Sequence, residues 1–320
     1  MRILVTGGAG FIGSNLVEKL LIDERVSFVR VLDNLITGSF KNISSFSSHP
    51  KFEFLEGDIR NFDTCLKACD GIDLISHQAA LGSVPRSIAD PLTTNEANIT
   101  GTLHIFTAAK EKKVKRIVYA ASSSTYGDHP DLPKLEDNIG KPLSPYAVTK
   151  YVNELYAHVY GNLYGVEFIG LRYFNIFGPK QNPNGPYAAV IPLFAEAILD
   201  NKAPTINGDG SHSRDFTYVD NAVQANILSL FTGNDKAINQ VYNVACGYQT
   251  SLLELFNYLK NEADSSLQPF HGPERTGDVK HSLADISKAS TLLNYHPLVD
   301  VKEGLKKTLN WYKTEREIAG

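Results

Sequence analysis

The chain has 320 residues, of which 42% are hydrophobic and 21% charged, a balance that excludes disordered and fibrous classes. Thirty-one lysines and arginines against 35 acidic residues leave a formal net charge of −4, and without a basic block nucleic acid and anionic membrane are poor partners. Three cysteines are too few for a disulfide framework, and the glycine-interrupted run Ile3 to Gly13 is neither a signal peptide nor a membrane span, so the chain reads as a reduced, cytoplasmic-type protein.

In chain order, the apolar run Arg2–Thr6 predicts a strand ending in glycines, and Phe11–Ile22 carries helical periodicity. Further strands are predicted over Phe28–Asp33, Phe52–Glu56 and Asp73–His77. Between the last two, Cys65 and Cys69 lie four apart on a helix and read as packing residues; with no partner histidines they make no metal site. Pro91–Lys112 predicts one long helix with Asp90 as its N-cap and Pro91 in its first turn. Arg116–Ser122 is another buried strand, and Val166–Arg172 follows a helix over Pro145–Tyr164. Strands and helices alternating at this spacing predict an α/β fold with a doubly wound parallel sheet. The last third turns polar and loop-rich over Gly178–Pro186, Ala203–Asp215 and Gln268–Asp278, as expected of a smaller region covering the sheet.

The strongest local signal is Thr6-Gly7-Gly8-Ala9-Gly10-Phe11-Ile12-Gly13, between the first strand and the first helix. Gly8, Gly10 and Gly13 fit G-x-G-x-x-G, a spacing that lets the backbone turn tightly and approach a pyrophosphate at a helix N-terminus. Asp33 follows twenty residues after Gly13, at the end of the second strand. A carboxylate there accepts from ribose hydroxyls and repels a 2′-phosphate, which favours NAD over NADP. Asp58, after the third strand, is placed either to meet an adenine amino group or to cap the next helix.

The second signal is Ser144-Pro145-Tyr146-Ala147-Val148-Thr149-Lys150. Ser144 can cap and Pro145 suits the first turn, which puts Tyr146 and Lys150 on one helix face. A free tyrosine has a pKa of about 10, and an ammonium about 4 Å away is worth about 4 kcal/mol at an effective dielectric near 20, enough to lower that pKa by up to about 3 units. Tyr146 would then serve as a base toward a substrate hydroxyl. Taken alone, Tyr-x-x-x-Lys is equally an amphipathic surface pair. The upstream glycine loop and the hydroxyl-rich strand end Ser122-Ser123-Ser124-Thr125 favour the catalytic reading.

Together, Thr-Gly-x-x-Gly-x-x-Gly, the serine cluster and Tyr-x-x-x-Lys make the chain similar to the extended short-chain dehydrogenase/reductase family over essentially its whole length. Within it, His77-Gln78-Ala79-Ala80, Leu171-Arg172-Tyr173-Phe174-Asn175 and Arg214-Asp215-Phe216 resemble the nucleotide-sugar 4-epimerases. Gly82-Ser83-Val84-Pro85-Arg86-Ser87, Tyr119 to Asp128 and Gly277 to Ser282 resemble the group that prefers N-acetylated UDP-hexosamines. The resemblance implies an NAD-binding Rossmann domain over residues 1–172, rejoined by 215–245, and a substrate-binding domain over 173–214 and 246–320. It implies Ser122, with Ser123 next in line, Tyr146 and Lys150 as catalytic residues. NAD would be held by Gly7, Gly8, Gly10, Phe11, Ile12, Gly13, Asp33, Asn34, Thr37, Gly38, Asp58, Ile59, Gln78, Ala79, Ala80, Asn98 and Tyr173, together with Tyr146 and Lys150. The UDP-sugar would meet Gly82, Ser83, Ser122, Ser123, Ser124, Tyr146, Asn175, Ala189, Val190, Asn207, Arg214, Arg275, Asp278 and Ser282. Arg214 and Arg275 would pair with the diphosphate, and Gly82 and Ser83 would lie near the N-acetyl group. Ser282 stands where epimerases restricted to non-acetylated sugars carry a bulky tyrosine, and a serine leaves room for an acetamide.

The implied reaction is transient oxidation at the sugar C4 by NAD, turning of the flat ketone, and reduction from the other face. A 4,6-dehydratase needs an acid and a base, usually an Asp-Glu pair after the strand-end hydroxyl residue, where this chain has Ser123-Ser124. UDP-glucose and, through Arg86, N-acetylated uronic acid substrates stay open alternatives. A non-catalytic NAD-binding module predicts a damaged Tyr/Lys pair, which is not seen. Homodimers are usual in the family, and Asn95–Lys112 with Pro145–Tyr164 are the helices expected at the interface.

Overall fold

A computed structural model describes residues 1–184, 188–273 and 280–319. The N-terminal half runs β1 (Arg2–Thr6), α1 (Phe11–Ile22), β2 (Phe28–Asp33), β3 (Phe52–Glu56), α2 (Phe62–Cys69), β4 (Leu74–His77), α3 (Val84–Ala89), α4 (Pro91–Asn95), α5 (Gly101–Glu111), β5 (Arg116–Ser122), α6 (Pro145–Tyr164) and β6 (Glu167–Tyr173). Beyond it come β7 (Ile176–Phe177), α7 (Val190–Leu199), β8 (Thr205–Asn207), β9 (Ser213–Arg214), β10 (Thr217–Tyr218), α8 (Val219–Phe231) and β11 (Gln240–Val244). The chain closes with β12 (Thr250–Ser251), α9 (Leu252–Glu262), β13 (Phe270–Gly272), α10 (Ser287–Leu293) and α11 (Val301–Ala319).

Seven strands form one all-parallel sheet in the order β11-β6-β5-β4-β1-β2-β3. Alternate side chains along β1 feed opposite layers. Ile3 and Val5 join the core shared with α1 and α8, and Leu4 joins Ile75, Phe106, Ile117 and Phe168 under α2, α5 and α6. Cys65 and Cys69 are both fully buried in that second layer. The result is a doubly wound Rossmann sheet. Its strand order reverses between β1 and β4, where a crevice opens beyond the strands' carboxyl ends.

The predicted boundaries hold to a residue or two for six of the sheet strands, while the edge strand β11 was not among those predicted, and one predicted helix departs. Asp90 caps as expected, its side chain accepting from Thr93 N at 3.0 Å, but the helix read over Pro91–Lys112 is not uniform. A π turn over Glu96–Thr100 separates α4 from α5. The wider turn carries buried Asn98, whose amide holds the Leu81 backbone on both sides. No helix among the described residues is long and apolar enough to cross a membrane.

Candidate active site

The β1–α1 turn works through close packing. Gly7 has φ +69°, and a Cβ there would come within 2.6 Å of Ala79 N; a Cβ at Gly13 would collide with the Gly7 carbonyl. α1 starts from Gly10 with no side-chain cap and no acidic residue in its first turn. The amides of Phe11, Ile12 and Gly13 therefore meet a cavity of about 490 Å³ uncapped. Asp33 stands beside this turn. Its carboxylate accepts from Ala9 N at 2.9 Å and Leu35 N at 2.8 Å, and burial raises its pKa. Asp58 lines the same end without capping a helix, since Asn61 caps α2. Arg60 and Asn34 hydrogen-bond Asp58 and bring its pKa down to about 2.

At the other end of the cavity stand Ser122, Tyr146 and Lys150. The Ser122 hydroxyl oxygen accepts from Ser124 N at 3.1 Å and Ser124 Oγ at 2.8 Å, which leaves its own proton to donate toward the cavity. Lys150 Nζ donates to Ala120 O at 2.9 Å and lies 5.9 Å from the centre of the Tyr146 ring. The expected lowering of the Tyr146 pKa is not found in the protein by itself. Burial raises it, with the Ser122 hydroxyl pulling the other way, and burial lowers Lys150 to about 8. Lysine sits over the ring and is tied to a carbonyl, so loss of hydration outweighs its attraction for the phenolate. The floor of this end is a buried polar net. Tyr173 donates to Gln78 Oε1 at 3.0 Å, Asn226 Nδ2 donates to the Tyr173 oxygen at 2.7 Å, and Gln78 Nε2 donates to Ser76 Oγ at 2.9 Å.

The sequence model of the NAD dependent epimerase/dehydratase family matches residues 3–245. The chain belongs to that family. A UDP-glucose 4-epimerase of Mycolicibacterium smegmatis is 37% identical over 319 residues, covering 99% of this chain and 100% of the relative. The solved UDP-N-acetylglucosamine 4-epimerase of Methanobrevibacter ruminantium M1, in complex with UDP-N-acetylmuramic acid, superposes with a TM-score of 0.92 at 39% identity, covering 98% of each chain. The UDP-glucose 4-epimerase of Thermotoga maritima with UDP-glucose superposes with a TM-score of 0.92 at 34% identity, covering 99% and 100%.

The cofactor is NAD, the one the family's description names. The residues present fit it: an uncapped helix N-terminus suits a pyrophosphate, Asp33 suits a ribose, and the cavity is long enough to join both to Tyr146. Of the expected contacts, Gly7, Gly10, Phe11, Ile12, Gly13, Asp33, Asn34, Thr37, Asp58, Ile59, Gln78, Ala79, Ala80, Gly82, Ser83, Ser122, Tyr146, Lys150, Tyr173 and Asn175 line one cavity.

Others named from the sequence stand elsewhere in this family member. Gly8 is a packing glycine whose Cβ would strike the Val31 side chain, and Gly38 packs under Ala9. Asn98 is fully buried behind the wall and holds Leu81. Ser124 buttresses Ser122 from outside the cavity, and Ser123 does not line it. Ala189 and Val190 open α7, Asn207 pairs with Gly272 between β8 and β13, and Arg214 donates to the Ser213 and Lys280 carbonyls at 2.9 and 3.0 Å. Ser282 N donates to Ser213 O at 3.1 Å, so Arg214 and Ser282 belong to one loop cluster of the C-terminal region. Arg275 and Asp278 lie outside the described residues. Leu32, Gly57, Leu81, Ala97, Ala120, Ala121 and Ile176 line the cavity without having been singled out. Leu32, Ala120 and Ala121 sit near carboxyl ends of parallel strands, the position from which they were findable.

Proposed function

We propose that this chain is an NAD-dependent 4-epimerase of UDP-sugars that interconverts UDP-N-acetylglucosamine and UDP-N-acetylgalactosamine. The observation that carries the reading is the single cavity that joins the uncapped α1 N-terminus to Tyr146, Lys150 and Ser122. No carboxylate follows Ser122, as a dehydratase would need; Ser123 and Ser124 stand there. NAD, when bound, supplies a reversible hydride acceptor for the sugar C4. Tyr146 takes the 4-hydroxyl proton and later returns it, with Ser122 donating to the same oxygen. Lys150, with a pKa near 8, is cationic at neutral pH and stabilises the phenolate as it forms.

The diphosphate falls to Arg214 and Arg275, with Asn175, Ala189, Val190, Asn207 and Asp278 around the nucleotide. These belong to a substrate-binding region over 173–214 and 246–320, set against an NAD-binding region over 1–172 and 215–245. Gly82, Ser83 and Ser282 leave room for the acetamide, and a solved relative's action on UDP-N-acetylglucosamine supports that preference. We assign a homodimer to the active form. On α6, Val148, Leu155, Val159 and Leu163 are exposed along one face, and Leu92 is exposed on neighbouring α4.

Incubating the purified protein with UDP-N-acetylglucosamine and no added NAD, and following anomeric protons by NMR, tests the reading. UDP-N-acetylgalactosamine rising to a fixed ratio is expected. A 4-keto-6-deoxy product would move the chain to the dehydratases. No change would overturn the substrate assignment and turn the assay to UDP-glucose and the N-acetylated uronic acid.

A further inference from the structure

We propose that Ser87 is a positioning residue for the reaction, a buried strut that ties the cavity wall at Leu81–Ser83 to the backbone of Tyr146; this deepens the 4-epimerase reading and rests on it. Ser87 lies on α3 and is fully buried. Its Oγ donates to Val84 O at 2.7 Å and accepts from Tyr146 N at 3.0 Å. Tyr146 is the second residue of α6, where backbone N–H groups have no partner within the helix. Ser144, the N-cap, satisfies Ala147 N at 3.1 Å, which leaves the Tyr146 N–H to a side chain from another element.

The element that supplies it begins on the cavity wall. Ser83 lines the cavity and caps α3 by accepting from Arg86 N at 3.2 Å, so Ser87 sits one turn further along. A second route reaches Tyr146 from the same wall. Asn98 accepts from Leu81 N at 2.7 Å, and its Nδ2 donates to Leu81 O at 3.2 Å and to Thr149 Oγ1 at 3.1 Å. Thr149 Oγ1 in turn donates to Tyr146 O at 2.8 Å. Both backbone polar groups of Tyr146 are thus fixed, through neutral partners, to the Leu81–Ser83 turn. A hydroxyl buried at Ser87 costs free energy unless it is bonded, and both of its bonds serve this join. An alanine would fill nearly the same space and leave the Tyr146 N–H without its partner.

Because no charge is involved, the effect on chemistry comes through placement. The Ser122 hydroxyl lowers the Tyr146 pKa that burial raises, so a displaced phenol loses that help and needs a higher pH to act as base. In NAD-loaded protein, Ser87→Ala is expected to lower kcat about tenfold with KM changed less than about twofold, since a misplacement of about 1 Å can cost about 100-fold. The acid limb of its kcat–pH profile should move upward, bound NAD should be retained, and deuterium exchange of the Tyr146 amide should quicken. Ser87→Thr, which keeps the hydroxyl, should restore kcat and the limb. Thr149→Val cuts the second route and should move kcat and the limb in the same direction, which serves if Ser87→Ala folds poorly. Unchanged kcat and pH profile in a folded Ser87→Ala, or in Thr149→Val where Ser87→Ala does not fold, would overturn the proposal. A wild-type protein that turns over no UDP-sugar would instead overturn the functional reading, and the positioning role with it.

Discussion

At Lys150 the protein holds an almost fully buried ammonium on the cavity wall, hydrogen-bonded to the Ala120 carbonyl. Its pKa of about 8 stands below the ordinary 10.5, so folding disfavours the charged form. The sign follows. Below pH 8 lysine is protonated in both states and the folded state bears the whole cost. Between 8 and 10.5 the unfolded chain binds the extra proton, so stability rises with pH, and above 10.5 the cost is gone. Replacing Lys150 with Met removes the charge and keeps much of the stem, at the loss of the bond to Ala120 O. With cofactor removed, Lys150→Met should therefore be more stable than wild type at pH 7, on the order of 1–2 kcal/mol, and turnover should be largely lost. Urea denaturation at pH 7 and pH 10 checks this, with the advantage expected to shrink at the higher pH. The pairing of Tyr146 with Lys150 was readable from their spacing of four; the direction of both pKa shifts was not. Spacing places two groups on a helix face but says nothing of how much water the rest of the chain leaves around them.

Among elements, the β1–α1 turn was legible because its constraint is local: strand, glycines and helix are contiguous. Its two functions fall to different glycines. Gly10 and Gly13 border the cavity, whereas Gly8 makes room for Val31 from β2, a contact invisible to any motif. The same contrast separates the helices. α6 announced itself through Ser144 and Pro145, and its bounds match the reading. α3 is six residues long, too short for periodicity to register, and the π turn at Glu96–Thr100 depends on Leu81, distant in sequence. Gly13→Ala tests the turn as a unit. Its Cβ would meet the carbonyl of Gly7 and the Cα of Gly8, both backbone, so relief requires the strand–helix corner to shift. Loss of bound NAD on purification is expected, with a melting temperature lowered by several degrees, as about 1–3 kcal/mol of overpacking would give. Retention of full cofactor content would show that the corner adapts.

For the whole molecule, the fold class and six of the seven sheet strands were legible because parallel strands buried on both faces leave continuous apolar runs; the edge strand β11, interrupted by Gln240 and Asn243, was not. The C-terminal region was not, because β8, β9, β10, β12 and β13 are two or three residues long and owe their pairing to partners far along the chain. For the proposed homodimer, exposure distinguishes the two helices expected at its interface. The exposed apolar face lies on α6, with Leu92 of α4 beside it, whereas no apolar residue of α5 is exposed. Leu155, Val159 and Leu163 recur at intervals of four, close to one helical face. That is a poor surface for a lone chain in water and a suitable one to pair with a copy of itself about a two-fold axis. Because Val159 and Leu163 are already solvent-exposed, charges there cost the single chain little. The double variant Val159→Asp, Leu163→Asp is thus expected to fold and to sediment at the mass of one chain, whereas the proposed homodimer of the wild type would sediment at two. The described cavity lies within one chain, so the separated protein should keep bound NAD and epimerise, with a lower melting temperature. A double variant that still sediments as a dimer would remove this face from the interface.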